Sequence, residues 1–287
     1  MSDLPKVSGI LPVGYGDKYF RVAAYAFLSS TYEGELELII LDNNEKSIKD
    51  LIPDDPRVKY FKCRKMPVGA LRNLGTSYAT GSICFTVDED DWSAAERVTQ
   101  QVARLTSMNK QVTGFHSVYY YDMSNGSTYR YWYEPNKRPH PPYACGSSQC
   151  YTKAWWTQHP FPETGVEDYK FGQEALQNDQ LDSIEGAGLL VARAHDDSVC
   201  FPTQLGHHSQ FPSVPKDHLP KEFYTAIAIK AAVAKPKSGP KVVKEKLPCP
   251  VPQSSESAIV LNSAPSPAPQ SSPFSTESIQ SPSVVTK

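Results

Sequence analysis

No stretch of about 18 consecutive apolar residues occurs in the 287-residue chain, so no membrane-spanning helix is expected. Nor does either sign of charge dominate. The 29 Lys and Arg side chains stand against 31 Asp and Glu, without the basic excess that a general nucleic-acid binder carries. The opening residues Met1-Ser2-Asp3-Leu4-Pro5-Lys6 lack a basic stretch followed by an apolar one. No signal peptide is therefore expected, and the expected location is cytoplasmic. Cysteine is sparse and scattered. Cys63, Cys84, Cys145, Cys150, Cys200 and Cys249 include no C-x-x-C pair, which argues against a zinc site and for reduced, buried thiols.

Aromatic residues are nearly missing from one segment. Residues 235–287 contain ten of the 25 prolines and twelve serines, with Phe274 the only aromatic. Such a composition cannot bury enough apolar surface to offset its ordering entropy. The expected organisation is a folded domain over 1–234 and a Pro/Ser-rich disordered tail over 235–287. Phe223 to Val233 reads as a last helix before the tail.

What remains alternates between two periods. Lys6–Leu11, Leu36–Leu41 and Ser82–Val87 are short apolar runs suited to strands covered on both faces. Between them, Tyr19, Val22, Ala23, Ala26 and Phe27 follow helical spacing, as do Val68, Leu71, Leu74 and Tyr78. Gly81 stands where a C-cap glycine belongs. Ser93-Ala94-Ala95-Glu96 reads as a capping box opening a helix through Val98, Val102 and Leu105. This order predicts an α/β fold: a mostly parallel, Rossmann-like central sheet flanked by helices. Asn125-Gly126 reads as a hairpin turn within the tyrosine-rich stretch 119–133.

Ligands of open α/β sheets sit at the carboxyl ends of the strands, and two predicted strands end there in aspartate. Asp42-Asn43-Asn44 follows the second. Asp88-Glu89-Asp90-Asp91-Trp92 follows the third. Four consecutive carboxylates repel one another and call for positive charge. Mg²⁺ or Mn²⁺, which takes one or two protein carboxylates together with phosphate oxygens, answers that requirement. A solvated acidic turn capping the next helix would answer it as well.

The segments together resemble the inverting family 2 glycosyltransferases of the GT-A fold. Val7-Ser8-Gly9-Ile10-Leu11-Pro12 resembles their first strand, and Glu37–Asn44 their second strand with its nucleotide-contacting aspartate. Gly69-Ala70-Leu71-Arg72-Asn73-Leu74-Gly75 is similar to their x-A-R-N-x-G helix start. Ala79-Thr80-Gly81-Ser82 followed by Phe85–Trp92 is similar to their metal-motif signature. Phe161–Phe171 resembles the F-P-x-x-x-x-E-D-x-x-F acceptor-side motif, and Arg193–Ser198 a degenerate R-x-H-x-x-N segment. The usual P-T-Y-N reads Pro12-Val13-Gly14-Tyr15-Gly16 here, and D-D-x-S reads Asp42-Asn43-Asn44-Glu45. The Gln-x-x-Arg-Trp motif of processive synthases is absent, which points to transfer of one sugar at a time.

The resemblance implies a metal-dependent enzyme moving a sugar from a nucleotide-sugar to an acceptor hydroxyl on a glycan or other molecule. A UDP-sugar is the expected donor because UDP is the commonest donor nucleotide in the family. Pro12, Asp42, Arg72 and Asp88 would contact the donor: Asp42 at base or ribose, Arg72 near the diphosphate. Asp90 would bind Mn²⁺ or Mg²⁺ directly, with Asp88 and His195 as further metal candidates. Asp168 would be the general base, with Glu167 as alternative base or acceptor contact. Asp91 would face the helix capped by Ser93. The aromatic stretch would form the acceptor side, where ring faces suit sugars. Two other readings compete. A nucleotidyltransferase would carry a Gly-rich phosphate loop with a lysine, of which Gly14-Tyr15-Gly16-Asp17-Lys18 is a poor version. A non-catalytic nucleotide-sugar-binding protein would not need both carboxylate motifs. The adjacent His207-His208 cannot both turn to one site.

Overall fold

A computed structural model describes residues 4–134, 136–137, 142–163, 165–198 and 211–228. The expected tail 235–287, Cys200, Cys249, His207-His208 and the last part of the expected final helix lie outside the described residues. The chain runs β1 (Val7–Val13), α1 (Phe20–Leu28), β2 (Leu36–Asp42), β3 (Val58–Lys62), α2 (Val68–Tyr78), β4 (Ile83–Thr86) and β5 (Trp92–Ser93). It continues with α3 (Arg97–Ser107), β6 (Val112–Asp122), β7 (Thr128–Trp132), β8 (Cys150–Thr152) and α4 (Lys153–Gln158). The remaining elements are α5 (Glu167–Gln177), β9 (Leu181–Glu185), β10 (Leu190–Ala194) and α6 (Lys221–Ala228).

The described strands form one sheet in the order β3-β2-β1-β4-β8-β6-β10-β5, with β7 and β9 also paired to β6. Its first half, β3-β2-β1-β4, is parallel throughout, as the alternating pattern predicts. The second half is mixed. β8 runs antiparallel to both β4 and β6, whereas β10 and β9 run parallel to β6.

Both faces of the parallel half are covered. Leu11, Val13, Leu38 and Phe85 pack with Phe27 of α1 and Val98, Val102 and Leu105 of α3. On the opposite face Ile10, Ile39 and Leu41 pack with Leu71 of α2 and Phe171 of α5. The strand runs are therefore mostly apolar, and burial of each large side chain contributes about 1.5–3 kcal/mol. Gly75 lets α2 approach closely, since a Cβ there would lie 2.5 Å from Ile10 Cγ2 and 2.6 Å from Leu41 Cδ1.

Two local expectations are corrected. Ser93 does not cap a helix. It lies in β5, which pairs antiparallel with β10, and α3 starts four residues later at Arg97 without a side-chain cap. The Ser-x-x-Glu spacing is outweighed by burial of Trp92 among Val191 and Phe223. Gly81 is not the C-cap of α2, which falls at Ala79. Gly81 is small because a Cβ would sit 2.7 Å from the Lys6 carbonyl oxygen. The Asn125-Gly126 turn forms as expected: Gly126 has φ +71° and joins antiparallel β6 and β7.

Glu37 is the one charge inside the apolar run of β2. Its carboxylate accepts from Ser8 Oγ at 2.6 Å, Thr80 N at 2.7 Å and Thr80 Oγ1 at 2.9 Å, and it faces Lys59 Nζ at 2.6 Å. Burial pushes its pKa up, but these donors outweigh it and hold the group at about 2, against an ordinary 4.5. A carboxyl held low in the folded chain stabilises it above the unfolded pKa. That stabilisation is lost as pH falls toward the folded value. Glu37→Gln is expected to lower stability at pH 7 by about 1–2 kcal/mol. The gap to wild type should close between pH 4.5 and 2. A gap constant over that interval, measured by thermal melts, would exclude the ionised carboxylate as its source.

Candidate active site

The carboxyl ends of β1, β4 and β10 open onto a cleft of about 580 Å³, within the range of small-molecule sites. Pro12 of β1 lines it, followed by Gly14 and Tyr15. That loop is held by Glu89, whose Oε1 accepts from Gly14 N at 2.6 Å and whose Oε2 accepts from Tyr15 N at 3.2 Å. Burial raises the Glu89 pKa to about 7, with Asp90 and Asp88 adding to it and the two amides opposing.

Asp42 is not on the cleft surface. It is 0% exposed. Its carboxylate accepts from Asn44 N at 3.0 Å, Ile48 N at 3.1 Å and Tyr60 Oη at 2.6 Å. It organises the turn after β2, and its neighbour Asn43 reaches the cleft instead. The Asn43 side chain also bonds both backbone groups of Met66, at 3.0 and 3.1 Å, and so pins the connection between β3 and α2.

Asp88, Glu89, Asp90 and Asp91 all line the cleft. Burial raises the pKa of Asp88, and Asp90 and Asp168 raise it further against the opposition of Arg72. Asp91 lies near the start of α3, where its charge acts on Arg97. It is buried, its pKa is raised by burial and by Asp90 and Asp88, and the Ser147 hydroxyl partly offsets this. His195 Nε2 lies 3.1 Å from Asp90 Oδ2, and the ring stacks on Tyr19 with centroids 4.1 Å apart. The amide of Asp197 donates to His195 Nδ1 at 3.2 Å. A neutral ring accepting there carries its proton on Nε2, so His195 donates to Asp90. Arg193 fixes the same loop from below: Nε donates to the Asp90 carbonyl, and Nη2 to the carbonyls of Tyr19 and Glu89 at 3.2 and 3.3 Å.

The acceptor-side motif reaches the same cleft through α5. Glu167 and Asp168 occupy its first turn, where negative charge is favoured by the helix dipole. Arg72 of α2, only 3% exposed, joins the two motifs. Its Nη2 donates to Asp88 Oδ1 at 2.8 Å and its Nη1 to Glu167 Oε1 at 2.5 Å. Both outer nitrogens of the guanidinium are thus engaged by carboxylates. The next residue, Asn73, accepts from Phe161 N and Trp156 Nε1, both at 2.9 Å, and donates to the Phe161 carbonyl at 2.8 Å. Gly69 completes the contact, since a Cβ there would lie 2.0 Å from the Pro162 carbonyl oxygen. The Arg-Asn pair therefore docks the segment leading to α5 against α2.

Glu167 is buried in this bridge, and burial raises its pKa against the pull of Arg72. Among the described residues, Asp168 forms no such ion pair. Its Oδ1 accepts from Tyr169 N at 2.7 Å, and its carboxylate enters the cleft beside Gly146. A Cβ on Gly146 would lie 1.7 Å from Asp168 Oδ2, so only glycine admits the carboxylate there. Gln149 Nε2 donates to the Asp168 carbonyl at 2.7 Å. Arg97, 2% exposed, donates to the carbonyls of Thr86 and Ser147 at 3.0 and 2.9 Å. These contacts fix the 146–149 turn between β4 and α5.

Sequence reasoning did not single out Arg97, Gly146, Ser147, Gln149 or Arg193 for a role. Arg193 had a signal in its R-x-H context. The 146–149 turn had none, because the partners that fix it lie 19 to 63 residues away. Among the described residues, no group of three or more His, Cys, Asp or Glu side chains is placed to hold a metal ion. Asp88, Asp90 and His195 thus do not form a three-ligand set. What the cleft offers is two hard carboxylates amid excess negative charge, which suits a cation whose other ligands are phosphate and water oxygens.

Comparison with known proteins agrees with this geometry. Residues 21–160 match the family model described as Glycosyl transferase family 2. An uncharacterized glycosyltransferase of Haemophilus influenzae is 30% identical over 106 residues, covering 35% of this chain and 42% of that protein. The chain thus spans about two-fifths of that relative's length. The crystal structure of S. aureus TarS 1-349 in complex with UDP superposes with a TM-score of 0.52 at 16% identity, covering 66% of this chain and 60% of that one. The same fragment in complex with UDP-GlcNAc gives a TM-score of 0.53 at 16% identity, covering 67% and 60%. At such identity the likeness concerns the fold, which is of the GT-A type.

Proposed function

From the match of residues 21–160 to the glycosyl transferase family 2 model, we propose that the chain is an inverting glycosyltransferase that moves one sugar from a UDP-sugar to an acceptor hydroxyl. One observation carries this reading. Arg72 holds the carboxylate of the Asp88–Asp91 cluster and that of the Glu167-Asp168 pair at a single cleft. The UDP and UDP-GlcNAc bound by the TarS fragment support the donor class.

The residues divide the work. Pro12, Gly14, Tyr15 and Asn43 form the wall against which the nucleotide lies. Asp90, with Asp88, would hold Mn²⁺ or Mg²⁺, and His195 orients Asp90. The cation, when bound, neutralises charge growing on the departing diphosphate. On the other side Asp168 accepts the proton of the acceptor hydroxyl as its oxygen attacks the anomeric carbon. The bond to the diphosphate oxygen breaks, and nucleoside diphosphate leaves with that electron pair. Attack opposite the leaving group inverts the anomeric centre. Glu167, tied to Arg72, positions the helix turn bearing Asp168.

Release of UDP from UDP-sugars tests the reading directly. Release and transfer are expected to stop in EDTA and to resume with Mn²⁺ or Mg²⁺. Full activity in the chelator would remove the cation from the mechanism. Binding of nucleotide-sugar without any release, across a panel of hydroxyl acceptors, would favour the non-catalytic alternative.

A further inference from the structure

The cleft has a charge imbalance that an incoming diphosphate would worsen. Six carboxylates line it: Asp88, Glu89, Asp90, Asp91, Glu167 and Asp168. Three cations line it: Lys65, Arg72 and Arg193. Arg72 is neutralised by Asp88 and Glu167. Arg193 is buried beneath the loop, with its nitrogens on backbone carbonyls. Both guanidinium groups are thus already committed to protein acceptors, two carboxylates for Arg72 and backbone carbonyls for Arg193.

Lys65 differs in each respect. It is exposed and makes no salt bridge among the described residues. Its neighbour Lys62 is engaged, 3.4 Å from Asp42 Oδ1. Lys65 sits on the connection from β3 to α2, immediately before the residue clamped by Asn43 through two hydrogen bonds. Pro67 follows with φ −60° at the start of α2. The backbone beneath Lys65 is thus held at the cleft rim, while its ammonium is free to extend over a ligand. An ammonium gives three donors to phosphate oxygens and little to an uncharged nucleoside.

We infer that Lys65 is a diphosphate-binding residue of the donor site and supplies the cationic contact that the buried Arg72 cannot. This rests on the proposed nucleotide-sugar function. The test is calorimetry with UDP and with uridine, each in Mn²⁺, on wild type, Lys65→Ala, Lys65→Arg and, as a control on the same connection, Arg64→Ala. Lys65→Ala is expected to weaken UDP binding by about 10- to 150-fold, the range for one charge-assisted hydrogen bond, and to leave uridine binding unchanged. Lys65→Arg should restore most of the loss and Arg64→Ala should bind like wild type. The wild-type advantage for UDP should shrink at high salt. UDP affinity unchanged in Lys65→Ala, or equal losses for UDP and uridine, would overturn the assignment while the donor reading stands. Wild-type protein that binds no nucleoside diphosphate would overturn both.

Discussion

Replacing Arg72 by methionine is expected to cost about 3–5 kcal/mol of folding stability, because it leaves the buried Glu167 and the half-buried Asp88 without their shared cation. For a domain of this size, that corresponds to a fall of about 6–20 °C in Tm. Arg72→Lys should recover little of it. One ammonium cannot reproduce a planar fork with one nitrogen on Asp88 Oδ1 and another on Glu167 Oε1. The triple variant Arg72→Met, Asp88→Asn, Glu167→Gln should regain most of the loss, since it removes the buried charges together. Urea denaturation of the three proteins checks this. If Arg72→Met melts with wild type, the bridge contributes nothing to folding. If the triple variant is no better than the single one, the loss comes from packing of Arg72 over the Phe161 ring.

Asp168→Asn is expected to lower transfer by about 10²–10⁴-fold while leaving UDP-sugar affinity close to wild type. The amide is nearly isosteric, fits beside Gly146, and cannot take a proton from the acceptor. Asp90→Ala should behave differently and lose metal-dependent donor binding together with turnover. Glu167→Gln should lower stability as well as rate, because its carboxylate is half of the Arg72 bridge. Calorimetry with a UDP-sugar and a transfer assay on each variant separate these outcomes. Near wild-type transfer by Asp168→Asn would move the base elsewhere. Loss of donor affinity as severe as that of Asp90→Ala would place Asp168 on the diphosphate side.

Much of the molecule was readable from local pattern. The apolar runs at Lys6–Leu11, Leu36–Leu41 and Ser82–Val87 became the parallel strands Val7–Val13, Leu36–Asp42 and Ile83–Thr86, because a strand covered on both faces is mostly apolar. The helical spacing of Val68, Leu71, Leu74 and Tyr78 became α2. The Asp88–Asp91 and Glu167-Asp168 clusters were visible as charge at element ends. Errors arose where a local signal met a tertiary demand. Ser93 lost its cap to the pairing of β5 with β10, and Gly81 served close approach instead of a left-handed turn.

By itself, the sequence determined which elements form, in what order, and which carboxylates lie at the strand and helix ends. These depend on periodicity and on residues a few positions apart. Only the tertiary structure decided how those charges are used. Arg72 meets Asp88 16 positions on and Glu167 95 positions on. His195 meets Asp90 across 105 positions. Whether a side chain binds a ligand or a neighbour depends on what else reaches it in space. Asp42 is turned inward by Tyr60 and Ile48, and Asp168 keeps its place at the cleft because Gly146, 22 residues away, has no side chain to exclude it.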